Sequence, residues 1–168
     1  MASISESPHL KDITNAVDNL NFDFVRMKLQ DQREGLGWSK EKTEVADLWY
    51  RRFLILNSKY PEASLVPTHD IDSFWHQHIL DTRAYVVDCT NIFGRFLHHF
   101  PYFGMRGPED AENLRQSFEN TRALFYKEFG EVPPMSIGGS SDCDSSACEG
   151  QPSCGSSCSG NASELVHK

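Results

Sequence analysis

Apolar residues at Ile13, Val17, Leu20, Phe24 and Met27 recur at intervals of 4, 3, 4 and 3, the period that lines one face of an amphipathic helix. This spacing predicts a first helix over residues 9–32, broken by Gly35 and Gly37. Ser39 offers a capping oxygen for a second helix running to about residue 58, before Pro61, with Val45, Leu48, Trp49, Phe53 and Leu56 turned inward. A third pattern opens at Asp70, whose carboxylate suits a helix cap, and carries Phe74, Trp75, Ile79 and Leu80. It pauses at Asp81-Thr82 and resumes through Tyr85, Val86, Cys89 and Phe93 to a stop at Gly94. Pro108 suits the first turn of a last helix, whose inner stripe is Leu114, Phe118, Thr121, Phe125 and Phe129 and whose end is Gly130.

Between the third and last patterns, the stretch RFLHHFPYFGMRG over residues 95–107 is too aromatic for a solvated loop. Pro101, Gly104 and Gly107 interrupt it too often for a long helix, so it is expected to pack on the core. The other large aromatics, Trp49, Tyr50, Phe74 and Trp75, are expected there too. From Glu131 onward the composition turns to Pro, Ser, Gly and Cys, with too little apolar surface to offset the entropy of ordering the chain. The expected fold class is all-α: a compact domain of four to five helices over residues 1–134, followed by a disordered Ser/Gly/Cys-rich tail over 135–168.

Composition narrows the partners. A length of 168 residues suits one domain. The net charge of −8 argues against nucleic acid and anionic membranes, both of which need a basic face. No apolar run is long enough to span a bilayer, and the first residues lack a basic start followed by an apolar core. The expectation is a cytoplasmic protein whose partner is an unidentified small molecule or protein. Four of the five cysteines, Cys143, Cys148, Cys154 and Cys158, fall in the tail without a C-x2-C pair. They read as part of a low-complexity segment rather than a zinc ribbon, with thiolate binding of one soft ion, Zn(II) or Cu(I), as the alternative. Cys89 reads as a small buried hydrophobe.

The chemistry concentrates elsewhere. Five of the seven histidines, His69, His76, His78, His98 and His99, fall within 31 residues, joined by Asp70, Asp72, Asp81 and Asp88. Imidazoles and carboxylates together make a metal or acid/base site, because both offer lone pairs near neutral pH. Asp72 and His76 are one helical turn apart and share a face, whereas His76 and His78 stand about 200° apart on a regular helix. Neighbours such as His98 and His99 face opposite ways in an extended segment. The economical ligand set is Asp72, His76 and His99 for a transition metal (Zn, Fe or Cu), with His78 as a further ligand or proton carrier. Asp70, His98 and Tyr85 are candidates for groups that orient those ligands. The same histidines also fit a purely structural role as half-polar core pieces satisfied by carboxylates or carbonyls. A metal-dependent enzyme and a non-enzymatic interaction domain are both consistent with these residues.

The run Pro67-Thr68-His69-Asp70-Ile71-Asp72-Ser73-Phe74-Trp75-His76-Gln77-His78, followed by Tyr85, Gly94 and His99, resembles the glycine-rich domain-containing protein family. That family carries a similar P-x-x-D-x-D-x-x-W-H-x-H core, and the likeness covers roughly residues 40–130, including Phe118, Thr121, Tyr126 and Phe129-Gly130. The resemblance implies a helical domain without an established reaction and singles out Asp70, Asp72, Trp75, His76, His78 and His99 as matching positions. Its members follow the last helix with a compact cysteine motif, where this chain has the sparser C-x4-C-x5-C-x3-C.

The tail reading is open to a direct check. Truncation after Met135 removes almost no large apolar side chains, so the melting temperature and unfolding cooperativity are expected to stay nearly unchanged. A large drop in the thermal midpoint would make the tail part of the domain.

Overall fold

In the computed structural model, which describes residues 8–135, the helix expected over 9–32 is divided in two. The expected disordered tail and its four cysteines lie outside the described residues. The helices are α1 (Pro8–Asp18), α2 (Asp23–Gln30), α3 (Lys40–Lys59), α4 (His69–Leu80), α5 (Thr82–Phe93) and α6 (Pro108–Phe129), with no strand among the described residues.

The break at residues 19–22 has a visible cause. Asn21 turns its side-chain oxygen onto the Asp23 N–H (2.9 Å), an interaction that competes with continued helix. The carbonyls freed at the end of α1 are taken by one guanidinium: Arg51 donates to Val17 (2.5 Å), Asp18 (3.2 Å) and Leu20 (3.0 Å). The break also resets the helical phase. Ile13 and Val17 are buried as expected, but Phe22, Val25 and Leu29 then take the core positions. Phe24 and Met27 are left 73% and 62% exposed, which overturns their place in the inner stripe.

α3 is the central helix, in contact with α1, α2, α4 and α6. The Ser39 hydroxyl accepts the Lys42 N–H (3.2 Å), as its capping position predicts. The buried residues Ala46, Trp49, Tyr50, Phe53, Leu54 and Leu56 cover more than one stripe because neighbours pack on several sides. Leu48, expected inside, faces outward between them, and Val45 is only half-buried. Beneath the break in the first helix pattern, Asp47 is buried between Arg51 (2.8 Å) and Arg26, and so links α2 to α3.

α4 begins one residue earlier than its expected cap. Thr68 occupies the capping position, and Asp70 lies buried within the first turn, paired with Lys42 of α3 (3.0 Å). The pause between α4 and α5 is real: the Asp81 carboxylate accepts the Ala84 N–H (3.3 Å) and starts the second helix. Gly94 ends α5 with φ 64°, a left-handed conformation that costs glycine little. Of the expected inner residues, Phe74, Trp75, Tyr85 and Cys89 are buried, while Leu80 and Val86 are exposed.

The aromatic segment departs most from expectation. Leu97 alone among its apolar residues is fully buried, whereas Phe96, Phe100, Tyr102 and Met105 are exposed. Its conformation is held mainly by polar contacts: Asp110 at the start of α6 accepts the N–H groups of Gly104 (2.6 Å) and Arg106 (3.2 Å) and the Arg106 guanidinium (2.6 Å). That guanidinium holds the Asp110 carboxyl below the usual carboxylate range. α6 itself docks through Phe125, edge-on to Trp49 (5.4 Å between ring centroids), and through Thr121, whose hydroxyl accepts the Val66 N–H (2.9 Å). Leu114, Phe118 and Phe129 flank this contact half-buried.

Asp47 carries a consequence for stability. In Asp47→Ala two guanidinium groups lose their shared carboxylate, one of them on a side chain only 16% exposed. Removing one partner of such a pair costs about 3 kcal/mol or more, read as a shift in the urea midpoint. A cost below about 1 kcal/mol would mean that Arg51 is held by the carbonyls alone.

Candidate metal centre

α4 has two chemically different faces. Asp70, Ile71, Phe74 and His78 fall on the side buried against α2 and α3. Asp72 and His76, one turn apart, fall on the other, with side chains 30% and 48% exposed. The helix therefore presents one carboxylate and one imidazole side by side at the surface.

The third group arrives on the segment after Gly94. Extended backbone alternates its side chains, so Leu97 turns inward, His98 outward and His99 inward again. Two buried aromatics set this register. The Trp75 indole N–H donates to the Tyr85 hydroxyl (2.9 Å), which donates in turn to the Leu97 carbonyl (2.5 Å). The Trp75 ring then lies 4.5 Å from the His99 ring. Burial pushes the Tyr85 phenol pKa up, so it stays protonated as a donor.

The outcome is a cluster in which one donor atom each from Asp72, His76 and His99 converges within 4.8 Å. His99 Nε2 lies 2.9 Å from Asp72 Oδ1 and 3.1 Å from His76 Nε2, and His76 Nε2 lies 3.5 Å from Asp72 Oδ2. An imidazole nitrogen has one in-plane valence, filled by a proton or by a lone pair. A proton on His99 Nε2 aimed at Asp72 leaves the contact with His76 without good geometry. A lone pair there, accepting from His76, sets nitrogen and carboxylate lone pairs against each other. One proton cannot serve both contacts well, whereas one cation between the three atoms can.

The other expected site residues lie elsewhere. His78 is not part of the cluster: its Nδ1 meets the Tyr50 hydroxyl (2.9 Å) and its Nε2 meets Asp88 (3.1 Å). A neutral ring carrying its proton on Nε2 satisfies both partners. Burial lowers the His78 pKa, with Asp88 opposing, and so favours that neutral form. Asp70 belongs to the Lys42 pair on the opposite face. His98 is exposed, its ring against Phe96 (4.9 Å). Tyr85 lies behind the cluster, its hydroxyl joining Trp75 to the Leu97 carbonyl. Cys89 is buried, and burial pushes its thiol pKa up, which keeps it protonated and a poor nucleophile.

The cluster opens on a cleft of about 670 Å³, within the size range of small-molecule sites. Its apolar walls come from Leu65, Pro67, Leu97, Phe100, Phe103 and Leu114, and its polar lining includes His69, Arg95 and Arg106. Sequence reasoning missed Arg95, a lone basic residue after a helix stop, and missed the connector over 61–66 as a cleft wall. Neither carries periodicity or a motif to mark it.

Fold and site define an all-helical domain with a His/His/Asp cluster at the mouth of a cleft. The chain belongs to the UCP032817-like family, whose model matches residues 14–123. It is similar to glycine-rich domain-containing proteins 1 and 2 of Arabidopsis thaliana, each 34% identical over 85 residues, or 48% of this chain. That match spans about a tenth of the length of those relatives. No solved structure matches the chain.

Tyr85→Phe tests how the His99 segment is held. It strips the partner from the Leu97 carbonyl and the Trp75 N–H, at about 1–3 kcal/mol for each group left unpaired. Urea unfolding is expected to show a loss of about 2–4 kcal/mol. A change under about 0.5 kcal/mol would mean that the hydroxyl does not anchor the segment.

Proposed function

We propose that this domain binds one divalent transition metal (Zn, Fe or Cu) through Asp72, His76 and His99, and that positions left open on the ion face the cleft and act on a small molecule. The observation that carries the reading is the double contact at His99 Nε2, which hydrogen bonding alone serves poorly. The spacing also supports it. With metal–ligand bonds of about 2.1 Å, donor atoms sit roughly 3.0 Å apart at right angles and roughly 3.4 Å apart at tetrahedral corners. The observed separations of 2.9, 3.1 and 3.5 Å fall about those values.

Two imidazoles and one carboxylate form a borderline donor set that suits Zn(II) or Fe(II) and leaves positions for water or substrate. A metal ion so held would polarise a bound oxygen and lower the pKa of a bound water. The surrounding residues supply the rest: Trp75 packs on His99, the Leu97 anchor fixes the height of the segment over α4, and apolar walls limit water in the cleft. His78 and Asp70 act in the fold, because their polar atoms are engaged on the buried face.

Elemental analysis of protein purified without added metal or an affinity tag is expected to find close to one equivalent. His76→Gln should abolish binding while the metal-free protein keeps most of its stability, since Gln can hydrogen-bond but is a poor ligand. Phe74→Ala should do the reverse, costing about 3–5 kcal/mol in the buried core while leaving the ligands chemically intact. Less than about a tenth of an equivalent after reconstitution, or unchanged metal in His76→Gln, would leave the non-enzymatic reading, in which the cluster only ties residues 95–99 to α4.

A further inference from the structure

We propose that the cleft beside the cluster takes a small organic carboxylate with an apolar body, and that Arg95 binds its carboxylate group. The inference deepens the metal reading and rests on it in one respect: an ion held at Asp72 would offset the negative charge there. The cleft is unlike the rest of the molecule. In a chain of net charge −8, its lining holds two arginines and four histidines against a single acidic residue, Asp72. A ligand cation would find little to pair with, whereas an anion meets a guanidinium.

The two arginines are not equivalent. Arg106 is already committed, with its guanidinium on Asp110 (2.6 Å) and 5.1 Å from the Phe100 ring centroid. Arg95 makes no ion pair or hydrogen bond among the described residues. A guanidinium offers a planar fork of N–H donors that matches a carboxylate in a two-point contact. Arg95 sits next to Gly94, four residues before His99, on the same segment that closes over α4. The cation and the cluster therefore line one cleft from one stretch of backbone. Apolar walls at Leu65, Phe103 and Leu114 would receive a ring or an alkyl chain. Such a ligand would lie with its carboxylate at Arg95 and its body in the cleft that the cluster faces.

The test compares 3-phenylpropionate with its uncharged amide by titration calorimetry on the full chain, with metal content measured on every sample. The acid is expected to bind at least about tenfold more tightly than the amide, an advantage of the size seen for charge-assisted pairs. Arg95→Gln should bring the two ligands within about twofold while leaving metal content unchanged, and Arg95→Lys should restore part of the difference. Equal binding of acid and amide, no detectable binding of either, or a preference that survives Arg95→Gln would overturn the proposal. Chelation with Arg95 intact is expected to narrow the preference without abolishing it, because Asp72 then keeps its charge, and complete loss would overturn the proposal by assigning the carboxylate to the ion. A preference present in protein that binds no metal would uphold the carboxylate site and sink the metal reading, so the two failures are distinguishable.

Discussion

Burying one face of α4 against α2 and α3 obliges every polar atom taken inside to find a partner, and this constraint organises the molecule. Phe74 and Ile71 supply the apolar area, but Asp70 and His78 enter with them. Lys42 answers the first and the Tyr50 and Asp88 side chains answer the second, so the interface joins α3, α4 and α5 by directed contacts as well as by area. With those side chains committed inward, the helical period leaves Asp72 and His76 on the opposite face. The surface cluster is thus a geometric consequence of how the buried face is satisfied.

The same logic holds the third member in place. His99 sits on a segment with few fully buried side chains, and such a segment is ordered by its polar anchors rather than by area. Tyr85 catches the Leu97 carbonyl on one side and Asp110 gathers the N–H groups of Gly104 and Arg106 on the other. Gly104 adopts φ 87° where a Cβ would lie 2.5 Å from the Leu114 side chain, so close approach to α6 also demands the absence of a side chain. Between these anchors the chain passes over α4 and closes the cleft, leaving Phe100 at its solvent edge and Tyr102 exposed beside it in sequence. Their exposure follows from a segment pinned at its ends.

Histidine plays two parts in this fold, one on α4 and one on the segment after Gly94, and proton accounting distinguishes them. His78 has one partner per ring nitrogen, which a neutral imidazole satisfies completely. His99 has two partners on a single nitrogen, which it does not. Spacing alone separates His76 from His78 by rotation about the helix axis. It does not say which of them faces the core.

From the sequence by itself came the all-α class, the cap at Ser39, the pause at Asp81-Thr82, the stops at Gly94 and Gly130, and the shared face of Asp72 and His76. Each of these depends on local backbone geometry, which neighbouring residues dictate. The tertiary structure decided the break at Asn19–Phe22, because Arg51, about thirty residues away, takes the carbonyls that the break releases. It also moved Asp70 from a cap to a buried pair and set the aromatic loop at the surface, since Lys42 and Asp110 supply partners that no local pattern announces. The meeting of His99 with α4, and of Arg95 with the same cleft, was likewise a tertiary outcome. A side chain's partner across the fold depends on where other elements pack, and the period of its own segment holds no record of that.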